Sequence, residues 1–83
     1  MKIILQLYAT LGDCLPDGAQ RHSADIEIDS GDTVATVIKR YQVPEKLAHL
    51  VIVNGRFIAP SERARNTLEE GDVLAIWPPV AGG

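Results

Sequence analysis

Apolar and polar positions change period several times along the chain, and each change marks an element. From Lys2 to Ala9, Ile3, Leu5 and Leu7 fall on one face, the period of two that a half-buried strand requires. Thr10 to His22 loses the alternation and carries Gly12, Pro16 and Gly18, which reads as a loop. Ser23 to Asp29 alternates strictly, with Ala24, Ile26 and Ile28 inward and Asp25, Glu27 and Asp29 outward. That is a strand with one wet face. Ser30-Gly31-Asp32 interrupts it, and the period lengthens to Val34, Val37, Ile38 and Tyr41, the spacing of a helix with one apolar stripe. Asp32 is placed to cap that helix, because a carboxylate accepts from orphan N–H groups and suits the positive end of the dipole. Lys39 and Arg40 stand in its last turn, and Pro44 disfavours a helical Val43, so the helix should end near Gln42. One further turn is expected between Pro44 and His49.

The second half returns to strands. Leu50 to Val53 and Arg56 to Ile58 flank Asn54-Gly55, the strongest two-residue hairpin signal. Pro60 ends that hairpin. Ser61 to Glu70 is polar, with Leu68 as its large apolar anchor, and Gly71-Asp72 turns into Val73 to Trp77, a buried strand by composition. Pro78-Pro79 stops it, since neither residue can donate to a ladder. A single helix must then cover one apolar face of a mixed sheet, and its crossover should be right-handed. The expected class is α+β, a β-grasp with the first and last strands parallel at the sheet centre. Residues 1–77 form the expected domain and residues 78–83 an extended tail.

Size and composition narrow the functions available. Eighty-three residues suffice for one small domain with a thin core, so a deep self-contained active site is not expected. The net charge is −3, and the eight basic residues are scattered without interleaved aromatics, which argues against a nucleic-acid surface. No apolar run reaches membrane-spanning length, and Met1-Lys2 leads into a strand pattern rather than a signal-peptide core. A cytoplasmic location is the expectation. The single cysteine, Cys14, excludes an internal disulfide and Cys-cluster metal sites, and its neighbours Asp13 and Asp17 would disfavour a thiolate. His22 and His49 are isolated and read as surface residues. Glu69-Glu70-Gly71-Asp72 reads as a solvated turn rather than a cation site. No metal site is expected, and no bound cofactor.

Helix-plus-hairpin order, Val53-Asn54-Gly55-Arg56, Leu68-Glu69-Glu70-Gly71-Asp72-Val73 and above all Pro78-Pro79-Val80-Ala81-Gly82-Gly83 together resemble the ubiquitin-like sulfur carriers of cofactor biosynthesis. The ending is similar to that of the small subunit of molybdopterin synthase; thiamine-pathway carriers share the fold and the Gly-Gly end but usually lack the paired prolines. The resemblance implies that an ATP-using, ubiquitin-activating-type adenylyltransferase activates the carboxylate of Gly83, and that a sulfur-transfer enzyme converts it to a thiocarboxylate. A molybdopterin synthase large subunit would then accept the sulfur to build a dithiolene, which later binds molybdenum or tungsten. Sulfur carriage for thiamine, cysteine or tRNA thiolation, or ubiquitin-like modification of proteins, would use the same activated Gly83. The chain would not be an enzyme on its own. One departure is that Ala9 to Pro16 lacks the Arg-Glu pair that many molybdopterin-type carriers place after the first strand, which bears on the pathway and not on the tail.

The tail suits that chemistry on physical grounds. A carboxylate is a poor acyl donor until one oxygen becomes part of a good leaving group. Gly82 and Gly83 lack Cβ atoms, so the backbone can pass a narrow channel. Pro78-Pro79 stiffens the base of the tail in a polyproline-like form. At ordinary glycine usage a Gly-Gly ending arises in about one chain in 200, so its weight comes from the company it keeps. Val73, Ala75 and Trp77 alternate opposite Leu74 and Ile76, and Ile4 and Tyr8 opposite Ile3, Leu5 and Leu7. Both sheet faces are therefore apolar while one helix covers only one. Pro78, Pro79, Val80, Ala81 and Gly82, with Phe57 and Ile4 on the uncovered face, are the candidate partner-binding residues. Asp25, Glu27 and Asp29 could help to orient a basic partner.

Overall fold

Alternation along the chain converts directly into the pairing of a five-stranded mixed sheet. The computed structural model describes residues 1–79. Its strands are β1 (Lys2–Leu7), β2 (Ser23–Glu27), β3 (Leu50–Val53), β4 (Arg56–Phe57) and β5 (Val73–Trp77), and its α-helix is α1 (Val34–Arg40). They lie in the order β2-β1-β5-β3-β4. β1 and β5 run parallel at the centre, in register Ile4 with Val73 through Leu7 with Ile76. The other neighbours are antiparallel. This is the expected β-grasp sheet.

The core lies between the sheet and α1. Ile3, Leu5 and Leu7 of β1, Leu74 and Ile76 of β5, and Val51 and Val53 of β3 are buried with Val34, Val37 and Ile38 of the helix. Full burial of side chains of this size contributes about 1.5–3 kcal/mol each before entropy is counted. Ile26, Ile28 and Leu68 close the margins.

Four local features differ from expectation. β1 stops at Leu7 rather than Ala9 because Ala9 has φ +54°, which leaves the extended region. The stretch read as loop then begins with a 3-10 helix, Ala9–Cys14, which inserts Leu11 into the core. The cap of α1 is Thr33, not Asp32. The Thr33 hydroxyl accepts from the Thr36 N–H at 3.2 Å, whereas the Asp32 carboxylate accepts from the Asp29 N–H and from Arg40 Nη1, both at 2.9 Å. The helix ends at Arg40, two residues short of the expected Gln42. Tyr41 is its C-terminal cap, Gln42 has φ +57°, and the N–H groups of Gln42 and Val43 return to the carbonyls of Lys39 and Ile38. That double return is a Schellman motif.

The hairpin turn follows its signal. Asn54 and Gly55 have φ +51° and +83°, the two positive values of a type I′ turn. The turn before β5 is equally specified: Asp72 N–H donates to the Glu69 carbonyl at 3.1 Å, with Gly71 at φ +86° between them. Asp72 also receives the Glu69 N–H and the Asn54 amide, each at 2.9 Å, and Glu70 accepts from the Lys2 N–H at 3.0 Å. The carboxylates of Asp72 and Glu70 thus fasten the hairpin and β1 to the start of β5.

Candidate functional site

The sheet face away from α1 and the end of β5 form one continuous region. Registers place Ile4 beside Val73 and Asp25, and Gln6, Ala75, Ile52 and Phe57 in a row across four strands. Trp77 pairs with Leu50 at the far end. Phe57 is 54% exposed and Leu50 37%; Ile4, Ile52, Val73 and Trp77 are half-buried, and Ala75 is buried among its longer neighbours. Ile4 and Phe57 therefore share a face without touching, because three strand spacings, roughly 14 Å, separate β1 from β4. Apolar side chains of β5 and β3 bridge that gap. Asp25 and Glu27 rim the region on β2, opposite Ile4 and Lys2.

Aromatic stacking fixes the end of this face. The Tyr8 and Trp77 rings stack with centroids 4.4 Å apart and planes 4° from parallel. His22 stacks on Tyr8 at 4.9 Å. The Tyr8 hydroxyl donates to Gln6 Oε1 at 3.1 Å. Such pairs contribute about 0.5–1.5 kcal/mol beyond their buried area. Backbone bonds hold the same point from both sides: the Tyr8 N–H donates to the Ile76 carbonyl at 3.1 Å and the His49 N–H to the Trp77 carbonyl at 3.2 Å. The last residue of β5 is thus anchored immediately before Pro78, which is half-buried, and Pro79, which is exposed. The reactive end of the expected site, Val80, Ala81, Gly82 and Gly83, lies outside the described residues.

Sequence reading missed the His22–Tyr8–Trp77 stack. Tyr8 and Trp77 are far apart in the chain, and only the parallel register of β1 and β5 brings them together. The available signal was that both aromatics close apolar strands on the same expected face. Leu50 was read as part of an apolar run, and its exposure follows from its position across from Trp77. Cys14 is half-buried against the core, its sulfur 3.8 Å from the Gln42 carbonyl, which is a packing role. Among the described residues no group of three or more His, Cys, Asp or Glu side chains is arranged to hold a metal ion. No helix of the described residues is long and apolar enough to cross a membrane.

Comparison with known proteins places this geometry. The model of the ThiS family matches residues 5–83. No curated protein matches the chain. Among solved structures, the Haloferax volcanii HVO 2177 protein superposes with a TM-score of 0.76 at 25% identity, over 100% of this chain and 87% of that one. The H. volcanii small archaeal modifier protein 1 gives 0.68 at 19% identity, over 95% and 98%. A complex of subunits 1 and 2 of the molybdopterin-converting factor from Helicobacter pylori 26695 gives 0.58 at 15% identity, over the whole of both chains.

Proposed function

The chain belongs to the ThiS family of ubiquitin-like sulfur carriers, and from that premise we propose that Gly83 carries sulfur as a thiocarboxylate. The observation that carries the reading is that the family match, over residues 5–83, takes in the Gly82-Gly83 pair as well as the sheet.

Chemistry at Gly83 needs a partner that uses ATP. A carboxylate oxygen attacks the α-phosphorus and pyrophosphate leaves. The acyl carbon of the resulting adenylate then has AMP as leaving group. A sulfur nucleophile forms the C–S bond and expels AMP, which takes one carboxylate oxygen with it. No cofactor need reside in the carrier, and the chain is a co-substrate rather than an enzyme on its own. Its sheet supplies the docking surface: Phe57, Leu50, Ile4 and Trp77 meet the adenylyltransferase, and the anchored Trp77 launches Pro78-Pro79 from a fixed point. A fixed base reduces the ordering cost when the tail enters a partner.

For the destination of the sulfur we propose dithiolene formation in molybdopterin synthesis, with the chain as the small subunit of the synthase. The Pro78-Pro79-Val80-Ala81-Gly82-Gly83 ending supports it, as does the likeness in fold to the H. pylori complex. The second reading is a ubiquitin-like modifier joined to lysines through Gly83, favoured by the likeness to small archaeal modifier protein 1. An intact mass of the protein purified from its native host separates them. Carriage predicts a species heavier by one sulfur in place of one oxygen, localised to Gly83. Isopeptide adducts at Gly83 without that species would establish modification. The absence of both forms, in cells making the cofactor, would remove Gly83 from the mechanism.

A further inference from the structure

On the helix side of the sheet, away from the docking face, lies a cavity of about 700 Å³ between α1, the segment from Val43 to His49 that leads into β3, and the segment after Pro60. Arg63 lies at its wall and is only 8% exposed. Its backbone explains its position: the Pro60–Glu62 3-10 helix leads into it, and its carbonyl accepts the Ala35 N–H at 2.9 Å. Its side chain is poorly served. Nη2 makes one long bond, 3.4 Å, to the His49 carbonyl, and Nε is buried with no partner. Among the described residues no carboxylate stands within 4.0 Å of it. A guanidinium stays protonated at any ordinary pH, although burial pushes this one below its usual value while the charge of Glu45 partly opposes the shift. A buried, unpaired cation is costly, and an apolar side chain of similar volume would fill the site more cheaply.

The rest of the lining shows what would relieve it. Lys39 and Lys46 join Arg63, against the single carboxylate of Glu45. The local excess of two positive charges opposes a chain whose net charge is −3. Ile38, Val43 and Pro60 supply an apolar wall. A guanidinium presents paired N–H donors to an oxyanion, and lysines add point charges. A carboxylate would neutralise one of the two excess charges, whereas a phosphate group carries about −1.5 to −2 at neutral pH. We propose that this cavity binds a phosphate group, with Arg63 as its buried ligand, Lys39 and Lys46 closing over it, and the apolar wall receiving the organic part of a phosphomonoester.

The test is a titration of the full chain followed by the Arg63 Nε–H and the His49 and Ala64 amide NMR signals. Inorganic phosphate, phenyl phosphate and acetate are the probes, at constant ionic strength. Phenyl phosphate should shift these signals saturably with a Kd of about 1 mM or tighter, and acetate should bind at least roughly tenfold more weakly. Inorganic phosphate binding as tightly as the ester assigns the site to the free ion; tighter ester binding assigns it to a monoester. The exposed pair Lys39→Gln and Lys46→Gln should weaken binding about tenfold with the fold intact, and Arg63→Met should abolish it. The proposal fails if neither phosphate probe moves Arg63 Nε saturably, if acetate competes equally, or if the lysine double variant binds like the parent. None of these outcomes depends on Gly83 or on sulfur.

Discussion

Among the described residues, four other than glycine take positive φ: Ala9, Arg21, Gln42 and Asn54. Asn tolerates the left-handed region because its short amide satisfies the local backbone, and Asn54 uses it well: its amide oxygen receives the Val73 N–H and its amide nitrogen donates to Asp72, both at 2.9 Å. Gln42 has no such compensation. Its side chain is exposed, and its φ of +57° meets the Cβ penalty that makes glycine the usual residue at this point of a Schellman motif. Relief of that penalty outweighs the extra chain entropy that glycine brings to the unfolded state. Gln42→Gly is therefore expected to stabilise the domain by about 0.5–1 kcal/mol, read as a higher urea midpoint at unchanged m-value. The Gln42 carbonyl that meets Cys14 is backbone and survives the substitution. A lower midpoint would show that the glutamine side chain contributes something the geometry does not reveal.

At the level of elements, α1 has seven residues, too few to persist alone, and it is held by its termini and by its apolar stripe. Asp32 is central because it ties the preceding turn to the far end of the helix. The hydrogen bond from Arg40, with that from the Asp29 N–H behind it, holds the Asp32 carboxyl below the usual carboxylate value. Arg40 is raised in turn by the Asp32 bond. A carboxylate with a depressed folded-state pKa contributes stability that is present above its unfolded value, about 3.9. That contribution is lost as pH falls through the folded value. The melting temperature of the parent should thus drop more steeply below about pH 4 than that of Arg40→Gln, while the two curves run nearly parallel above it. Equal slopes below that pH would mean that the bond does not bias folding. Residues 32 and 33 also show where sequence reasoning stops. Asp and Thr are both good caps, and the choice falls to backbone conformation: Thr33 is extended, at φ −108° and ψ 171°, while Asp32 is drawn off by Arg40. Strands and the Asn54-Gly55 hairpin were legible because a period of two and a two-residue turn are local facts. The 3-10 helix at Ala9–Cys14 was not, because six residues around Gly12 leave Leu11 as the one apolar signal of a structure fixed by packing.

Across the whole molecule, one face of the sheet is covered by α1 and the other is open, and alternation along β1 and β5 was enough to predict that both carry apolar side chains. The Tyr8–Trp77 stack and the buried Arg63 were not readable, since each depends on contacts between distant segments. One covered face makes the fold, and the other, with Phe57 and Leu50 exposed on it, is available to partners. That division predicts that docking can be removed without unfolding. Phe57→Glu and Leu50→Glu place charges where the folded chain already meets water, so stability should change by no more than about 0.5 kcal/mol. If Phe57 anchors a partner, its loss should weaken binding by roughly 2 kcal/mol or more, about thirtyfold, to the activating enzyme or the synthase large subunit by calorimetry. Ile4→Glu should weaken binding too, but Ile4 is half-buried between β2 and β5, so part of its effect will appear as lost stability. Removing Gly82-Gly83 should give the converse phenotype, an unchanged melting temperature and retained docking with no thiocarboxylate formed. Should Phe57→Glu bind as the parent does while the truncated chain fails to dock, recognition resides in the tail and the open sheet face is not the docking surface.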